Sequence, residues 1–121
     1  MIENRVEKVN KLIQKELGTL ILKEIDVYPG NLVTITRVQC SNNLFEGNVY
    51  ISVIPENNFE DILALLNRHL FYLQQRLNKI LRMRPVPRIK FLQEKKTVEA
   101  GRIEELLTKI KKDSIEKEEE N

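Results

Sequence analysis

The chain has one cysteine and one histidine among 121 residues. A single cysteine, Cys40, cannot form an internal disulfide, which fits a reducing, cytoplasmic setting. With His69 as its sole possible histidine partner, it also cannot build a structural zinc cluster. No run approaches 18 consecutive apolar residues, so no membrane span is expected. The opening string Met1-Ile2-Glu3-Asn4-Arg5-Val6-Glu7-Lys8 is charged from the start and offers no signal-peptide core. Neither G-x-x-x-x-G-K-[ST] nor G-x-G-x-x-G occurs, so there is no phosphate-cradling nucleotide motif. His69 falls on the flank of an apolar stripe and reads as a half-buried structural residue rather than a general base. Cys40 precedes Ser41 without a second histidine to activate it and reads as a small buried hydrophobe. The expectation is a protein with no catalytic residue, no cofactor, no metal, no membrane association and no small-molecule ligand.

Present instead are a core-sized share of apolar residues, 41%, and a heavily ionic surface, 31% charged. That suits one compact domain. Lys plus Arg is 20 and Asp plus Glu is 18, a formal net charge of +2. The balance hides an asymmetry. From Arg68 to Lys96 the chain holds Arg68, Arg76, Lys79, Arg82, Arg84, Arg88, Lys90, Lys95 and Lys96 against Glu94 alone, a local charge of +8. The remainder is therefore acidic, most visibly from Asp113 onward. A localised basic run on a near-neutral chain is the footprint of a polyanion partner. The plainer reading is a solvated face, and the length of the run and its near-absence of acids weigh against it.

Periodicity supplies the elements. Residues 3–24 read as an amphipathic helix carrying Val6, Val9, Ile13, Leu17, Leu20 and Ile21. Tyr28-Pro29-Gly30-Asn31 is a turn. Leu32–Val38 is a strand with Val33 and Ile35 inward, Cys40–Gly47 a polar loop, and Asn48–Ile54 a second strand that should pair antiparallel with the first. Asn58 is placed to cap the next helix. Phe59, Ile62, Leu63, Leu66, Leu70, Leu73, Leu77, Ile80 and Leu81 then hold one stripe. A straight helix of that length would span roughly 36 Å, against a radius of gyration near ~13 Å for such a domain. A bend is therefore expected near Arg68–Tyr72. Pro85 and Pro87 stop the helix, and Arg88–Leu92 alternates as a third strand with Ile89 and Phe91 inward. Thr97 would cap a last helix bearing Ile103, Leu106, Leu107 and Ile110, and 113–121 reads as an acidic disordered tail beyond a domain of residues 1–112. The fold class is α+β, with helices packed on one face of a three-stranded sheet.

Binding chemistry has more material than catalysis. Arg68, Tyr72, Arg76, Lys79 and Arg82 should project away from the apolar stripe, and a tyrosine among cations can stack on a base while the cations hold phosphates. Tyr72 could equally cover apolar surface with its hydroxyl in water. Arg84 follows in the loop, and Arg88 and Lys90 sit on the outward face of the third strand. These eight are the candidate RNA-binding residues. Lys8, Lys11, Lys15 and Arg37 are secondary candidates, the first three diluted by Glu3, Glu7 and Glu16. Tyr50 reads as packed or half-exposed.

The string as a whole resembles bacterial ribosome-binding factor A over about residues 4–110. The carriers are Arg5-Val6 with Ile13-Gln14-Lys15-Glu16-Leu17, Val33-Thr34-Ile35-Thr36-Arg37-Val38, Ser41-Asn42-Asn43-Leu44, Val49-Tyr50-Ile51-Ser52-Val53, Leu81 to Phe91, and Arg102-Ile103-Glu104-Glu105-Leu106-Leu107. The resemblance implies a type II KH-like fold, of order α-β-β-α-α-β plus a C-terminal helix. It implies a monomeric, non-enzymatic assembly factor that binds the free small (30S) ribosomal subunit and 16S ribosomal RNA late in maturation and supports processing of the 16S precursor. A generic KH-like RNA-binding module acting outside the ribosome is the alternative. One departure stands out. KH domains usually carry G-x-x-G, and this family tends to show Ala-x-Gly at an interhelical kink. Here the corresponding residues are His69-Leu70-Phe71, where a phosphate backbone cannot approach as closely. Whether they still bend the chain is left open by the motif.

Overall fold

The computed structural model describes residues 4–95. Its first helix, α1 (Arg5–Glu24), starts where Asn4 turns its side-chain oxygen back onto the amides of Val6 and Glu7, at 2.9 and 3.3 Å. That satisfies two of the four amides a helix start leaves open. Val9, Ile13, Leu17, Leu20 and Ile21 form the buried stripe, as their spacing requires. The chain reverses through Tyr28-Pro29-Gly30-Asn31. Asn31 donates its amide to the Tyr28 carbonyl at 3.2 Å. Gly30 takes the positive φ of 85° that the third position of a type II turn demands.

Strands β1 (Leu32–Cys40) and β2 (Glu46–Ile54) pair antiparallel from Leu32↔Ile54 to Cys40↔Gly47. Both are longer than the expected Leu32–Val38 and Asn48–Ile54, and the loop shrinks to Ser41–Phe45. Polar composition suggested a loop, but the loop's own side chains close it tightly. The Asn43 Oδ1 accepts from the Phe45 amide at 3.0 Å and from the Ser41 hydroxyl at 2.7 Å. A Cβ at Gly47, where the ladder begins, would lie 3.3 Å from the Cys40 Sγ, tighter than an ordinary contact. The expected alternation on β1 holds through Val33 and Ile35 and then slips. The register shifts between Ile35 and Arg37, so Thr36 is an extra residue and Val38, three places after Ile35, returns to the core. The bulge aims Thr36 and Arg37 together at solvent.

A short 3-10 turn (Glu56–Asn58) leads into α2 (Phe59–Arg68). Asn58 does not cap this helix. Its side chain makes no capping bond and instead donates its amide to the Asn31 Oδ1 at 2.7 Å, tying the helix entry to the first turn. The run then breaks at His69 and resumes as α3 (Leu70–Leu81), within the expected interval. His69 has φ −101° and ψ 8°. Its amide bonds the Leu66 carbonyl at 3.0 Å, one residue tighter than an α-helix. Its ring Nδ1 lies 3.3 Å from the Leu65 carbonyl oxygen, the acceptor an unbroken helix would give to that amide. A side chain entering the hydrogen-bond ladder is one of the few causes of a sharp bend without Pro or Gly. The bend lets both halves bury their stripe, with Ile62 and Leu66 on one side and Leu73 and Leu77 on the other, all fully buried.

The last described strand, β3 (Arg88–Gln93), pairs parallel to β2, giving the order β1-β2-β3. Parallel pairing requires a crossover, and α2 with α3 supplies it. Ile89 and Phe91 point into the core with Val49 and Ile51, while Arg88 and Lys90 are exposed. α1 packs against β1 and α3, and α2 against β2 and β3, leaving the opposite sheet face uncovered by any described element. The helix expected after Thr97 and the tail from Asp113 lie outside the described residues.

Candidate nucleic-acid interface

Three contacts fix where the cations stand. Asn10 accepts the Cys40 amide at 2.8 Å, and Gln14 donates to the Ile35 carbonyl at 3.0 Å, so α1 runs antiparallel to β1. The start of α1 therefore lies at the end of β1, beside the start of β2. Arg88, the first residue of β3, is opposite Glu46 and donates its amide to the Phe45 carbonyl at 2.9 Å. α3 ends at Leu81 and reaches β3 through residues 82–87. One pole of the domain thus gathers Arg82, Arg84 and Arg88, all exposed, with Lys79 in the last turn of α3. Lys8 and Lys11 are brought to the same end on α1, with Lys15 exposed midway along it. Arg5, not singled out from the sequence, joins them as the first residue of α1, where the helix dipole disfavours a cation. The basic pole also holds Glu7 and Glu46, the latter opposite Arg88, and the other pole, where α1 ends and α2 begins, carries Glu24, Asp26, Glu56, Glu60 and Asp61 against Lys23 and Arg68.

Arg68, Tyr72 and Arg76 do not join the basic pole. Arg68, at the end of α2, donates to the Tyr28 hydroxyl at 3.1 Å, near the acidic end. Tyr72 and Arg76 are committed to Glu24. The tyrosine hydroxyl donates to the Glu24 Oε1, and the Arg76 guanidinium bridges the Glu24 Oε2 at 2.7 Å and the Tyr72 oxygen at 2.9 Å. This clasp pins α3 to the end of α1. The tyrosine hydrogen bond and then the guanidinium hold the Glu24 carboxyl below its ordinary range, and the bonds to Glu24 and then Tyr72 raise Arg76. Phe71, two residues after the break, is 77% exposed.

Arg82 sits in the left-handed region, φ 52° and ψ 45°, immediately after α3. Glycine favours this position at a helix end, and an L-residue there costs roughly 1–2 kcal/mol. A cation is held on the pole at the expense of stability.

Lys90 and Arg37 occupy the uncovered face of the sheet. The Arg37 guanidinium lies 3.8 Å from the centre of the Tyr50 ring, bonded to Glu94 at 3.0 Å and to the Gln39 Oε1 at 3.2 Å. Glu94 also accepts from the Thr36 hydroxyl at 2.6 Å, and that bond, more than the guanidinium, lowers its carboxyl below the usual range. The pair was not legible in sequence because the bulge sets its register. Among the described residues there is no group of three or more His, Cys, Asp or Glu placed to hold a metal ion, and no helix long and apolar enough to cross a membrane. Cys40 is a buried free thiol, and burial raises its pKa.

The element order, the antiparallel then parallel pairing, and helices on one face define a type II KH-like α+β domain. The family model of ribosome-binding factor A matches residues 5–107, and the chain belongs to that family. Ribosome-binding factor A of Chlorobium limicola is 34% identical over 111 residues, covering 89% of this chain and 92% of that protein. That of Chlamydia felis is 34% identical over 116 residues, covering 92% and 96%. The crystal structure of ribosome-binding factor A from Thermus thermophilus superposes with a TM-score of 0.64 at 26% identity, covering 73% of this chain and 94% of that one. A homology model of the Thermus thermophilus protein, fitted into the cryo-EM map of its complex with the 30S subunit, superposes with a TM-score of 0.59 at 25% identity, covering 75% and 93%. The family is not a known enzyme family.

Two outcomes test this geometry. Relieving the left-handed residue with Arg82→Gly should raise stability by about 0.5–1 kcal/mol, the αL penalty less the added chain entropy of glycine; urea denaturation reads it. Glu24 has a folded pKa below the ordinary 4.5. Its stabilising contribution is thus present above about pH 4.5 and is lost as pH falls through the lowered folded value. The stability difference between wild type and Glu24→Gln should shrink steadily below pH 4.5, and a pH-independent difference would show that the clasp does not depend on the carboxylate.

Proposed function

We propose that this protein is a small-subunit assembly factor: it binds the free 30S particle and its 16S ribosomal RNA during late maturation and supports processing of the 16S precursor. It acts as a cytoplasmic monomer and performs no chemistry of its own. The family membership and the likeness to a relative fitted on the 30S subunit support this reading. The observation that carries it is the polar distribution of charge. Arg82, Arg84 and Arg88 converge from a helix end, a loop and a strand onto one pole, while the far pole is acidic. A polyanion is drawn to one end and repelled by the other, which orients the protein before it docks.

Phosphate contacts position a protein and carry little sequence information, so binding should tolerate base changes and respond strongly to salt. With about five phosphates engaged, log affinity falls with log salt at a slope of roughly −3.5 to −4.5. Lys79, Arg82, Arg84 and Arg88 are the leading contacts, with Lys8 and Lys11 beside them. Arg68, tied to Tyr28 near the acidic pole, is the least favoured of the sequence candidates. Changing Arg82 and Arg84 together to Ala should flatten the slope by about one to two units and weaken co-sedimentation with free small subunits. The charge-matched pair Lys23→Ala with Arg68→Ala, at the other pole, should do neither. Equal association with small subunits, large subunits and translating ribosomes would reduce the protein to a general RNA binder, and normal 16S precursor levels in a strain lacking its gene would remove the assembly role.

A further inference from the structure

Arg37 is an exposed arginine that does not behave as one. An exposed guanidinium ordinarily samples many rotamers, and ordering it on binding costs about 0.5–1.5 kcal/mol. Here three partners hold the group flat. The Tyr50 ring supports one face at 3.8 Å, Glu94 takes the Nε at 3.0 Å, and Gln39 takes an Nη at 3.2 Å. Side-chain exposure of 48% remains. The ordering cost is already met in the fold, and what remains is a held, planar guanidinium whose charge is paired with Glu94.

The neighbourhood matches that group. Gln39 gives Arg37 its carbonyl oxygen, so its amide nitrogen remains a donor. The sheet register places Asn48 opposite Gln39, and Lys90 opposite Asn48 on the third strand. Two carboxamides therefore lie one step along the sheet from the stacked guanidinium, about 6–7 Å away, with an ammonium beyond them. A base laid on a guanidinium plane gains stacking and cation–π attraction. Carboxamides are the side chains that pair with the adenine edge.

We propose that the open face of the sheet is a second RNA site, distinct from the basic pole, which takes a single unpaired nucleotide. Its base stacks on Arg37 over Tyr50, its edge meets Gln39 and Asn48, and Lys90 holds its phosphate. The site rests on the RNA-binding reading above and adds the chemistry of the partner: the pole follows backbone charge, and the sheet face selects an unstacked base. A duplex cannot use this face, because its bases already stack on one another.

Isotope-labelled full chain is titrated with single-stranded oligoadenylate RNA and, separately, with the same RNA annealed to oligouridylate. The single strand should shift the Tyr50 ring and Arg37 Nε–H resonances, and the duplex should leave them in place. Arg37→Lys keeps the charge and loses the plane; it should weaken oligoadenylate binding about tenfold, within the range for removing one stacked base. Duplex binding should stay unchanged. Gln39→Ala, at an exposed position, should weaken oligoadenylate binding in the same direction. Thermal melts of both variants verify folding. The proposal fails if Arg37→Lys binds oligoadenylate as wild type does, or if the shifts are confined to the Arg82–Arg88 pole. It also fails if nuclear Overhauser contacts place residues beyond Lys95 of the same chain over the Tyr50 ring. Any of these results, with co-sedimentation on small subunits intact, would remove the sheet site and leave the assembly role standing. Loss of co-sedimentation from the wild-type protein would count against the role itself.

Discussion

The break at His69 decides where the charge of this protein goes. A continuous helix through residues 59–81 would carry its second half off the core, together with the basic loop that follows. His69 prevents this with local chemistry: its amide tightens onto Leu66, and its ring nitrogen stands at the Leu65 carbonyl that the amide has left. α3 then folds back beside α1, Leu73 and Leu77 reach the core, and the chain is delivered to β3 at the same end as the start of α1. The Glu24–Tyr72–Arg76 clasp fastens the returning helix. The basic pole follows from that path, because Arg82, Arg84 and Arg88 are simply the residues that the returning chain places there.

The pole also shows where stability is yielded. Arg82 occupies a backbone position that suits glycine, and Arg5 lies against the positive end of a helix dipole. Leu44, buried in the loop between β1 and β2, also takes a positive φ of 62°, whereas local preference and fold agree at the type II turn of Gly30 and the Asn4 cap.

Most of the architecture was legible in the residues because it rests on period and length. The stripes of α1 and of 59–81 follow helical spacing, β2 and β3 alternate, and the bend follows from a rod too long for its core. What the sequence hid depends on tertiary neighbours. Glu24 lies 48 and 52 residues from its partners Tyr72 and Arg76, so those two side chains read as outward-facing RNA candidates until the helices are packed. The bulge at Thr36 has no mark in the string, and without it Arg37 could not be placed on the Tyr50 ring. Asn58 had the right type and spacing for a cap and was claimed by Asn31 instead. Of the basic pole, Arg82, Arg84 and Arg88 stood out as candidates by charge alone, but their separation from Arg68 did not.

A charge distribution of this kind should bring the protein to the small subunit with its basic pole foremost. Tethered hydroxyl-radical cleavage tests it directly. An iron chelate is attached to a cysteine introduced at Arg84→Cys or, at the other pole, at Lys23→Cys; Cys40 is buried with a raised thiol pKa and does not compete. Bound to free small subunits, the probe at position 84 should cut 16S ribosomal RNA at a compact set of nucleotides, and the probe at position 23 should cut weakly or not at all. Equal cleavage from both positions, or cleavage from position 23 alone, would contradict the account.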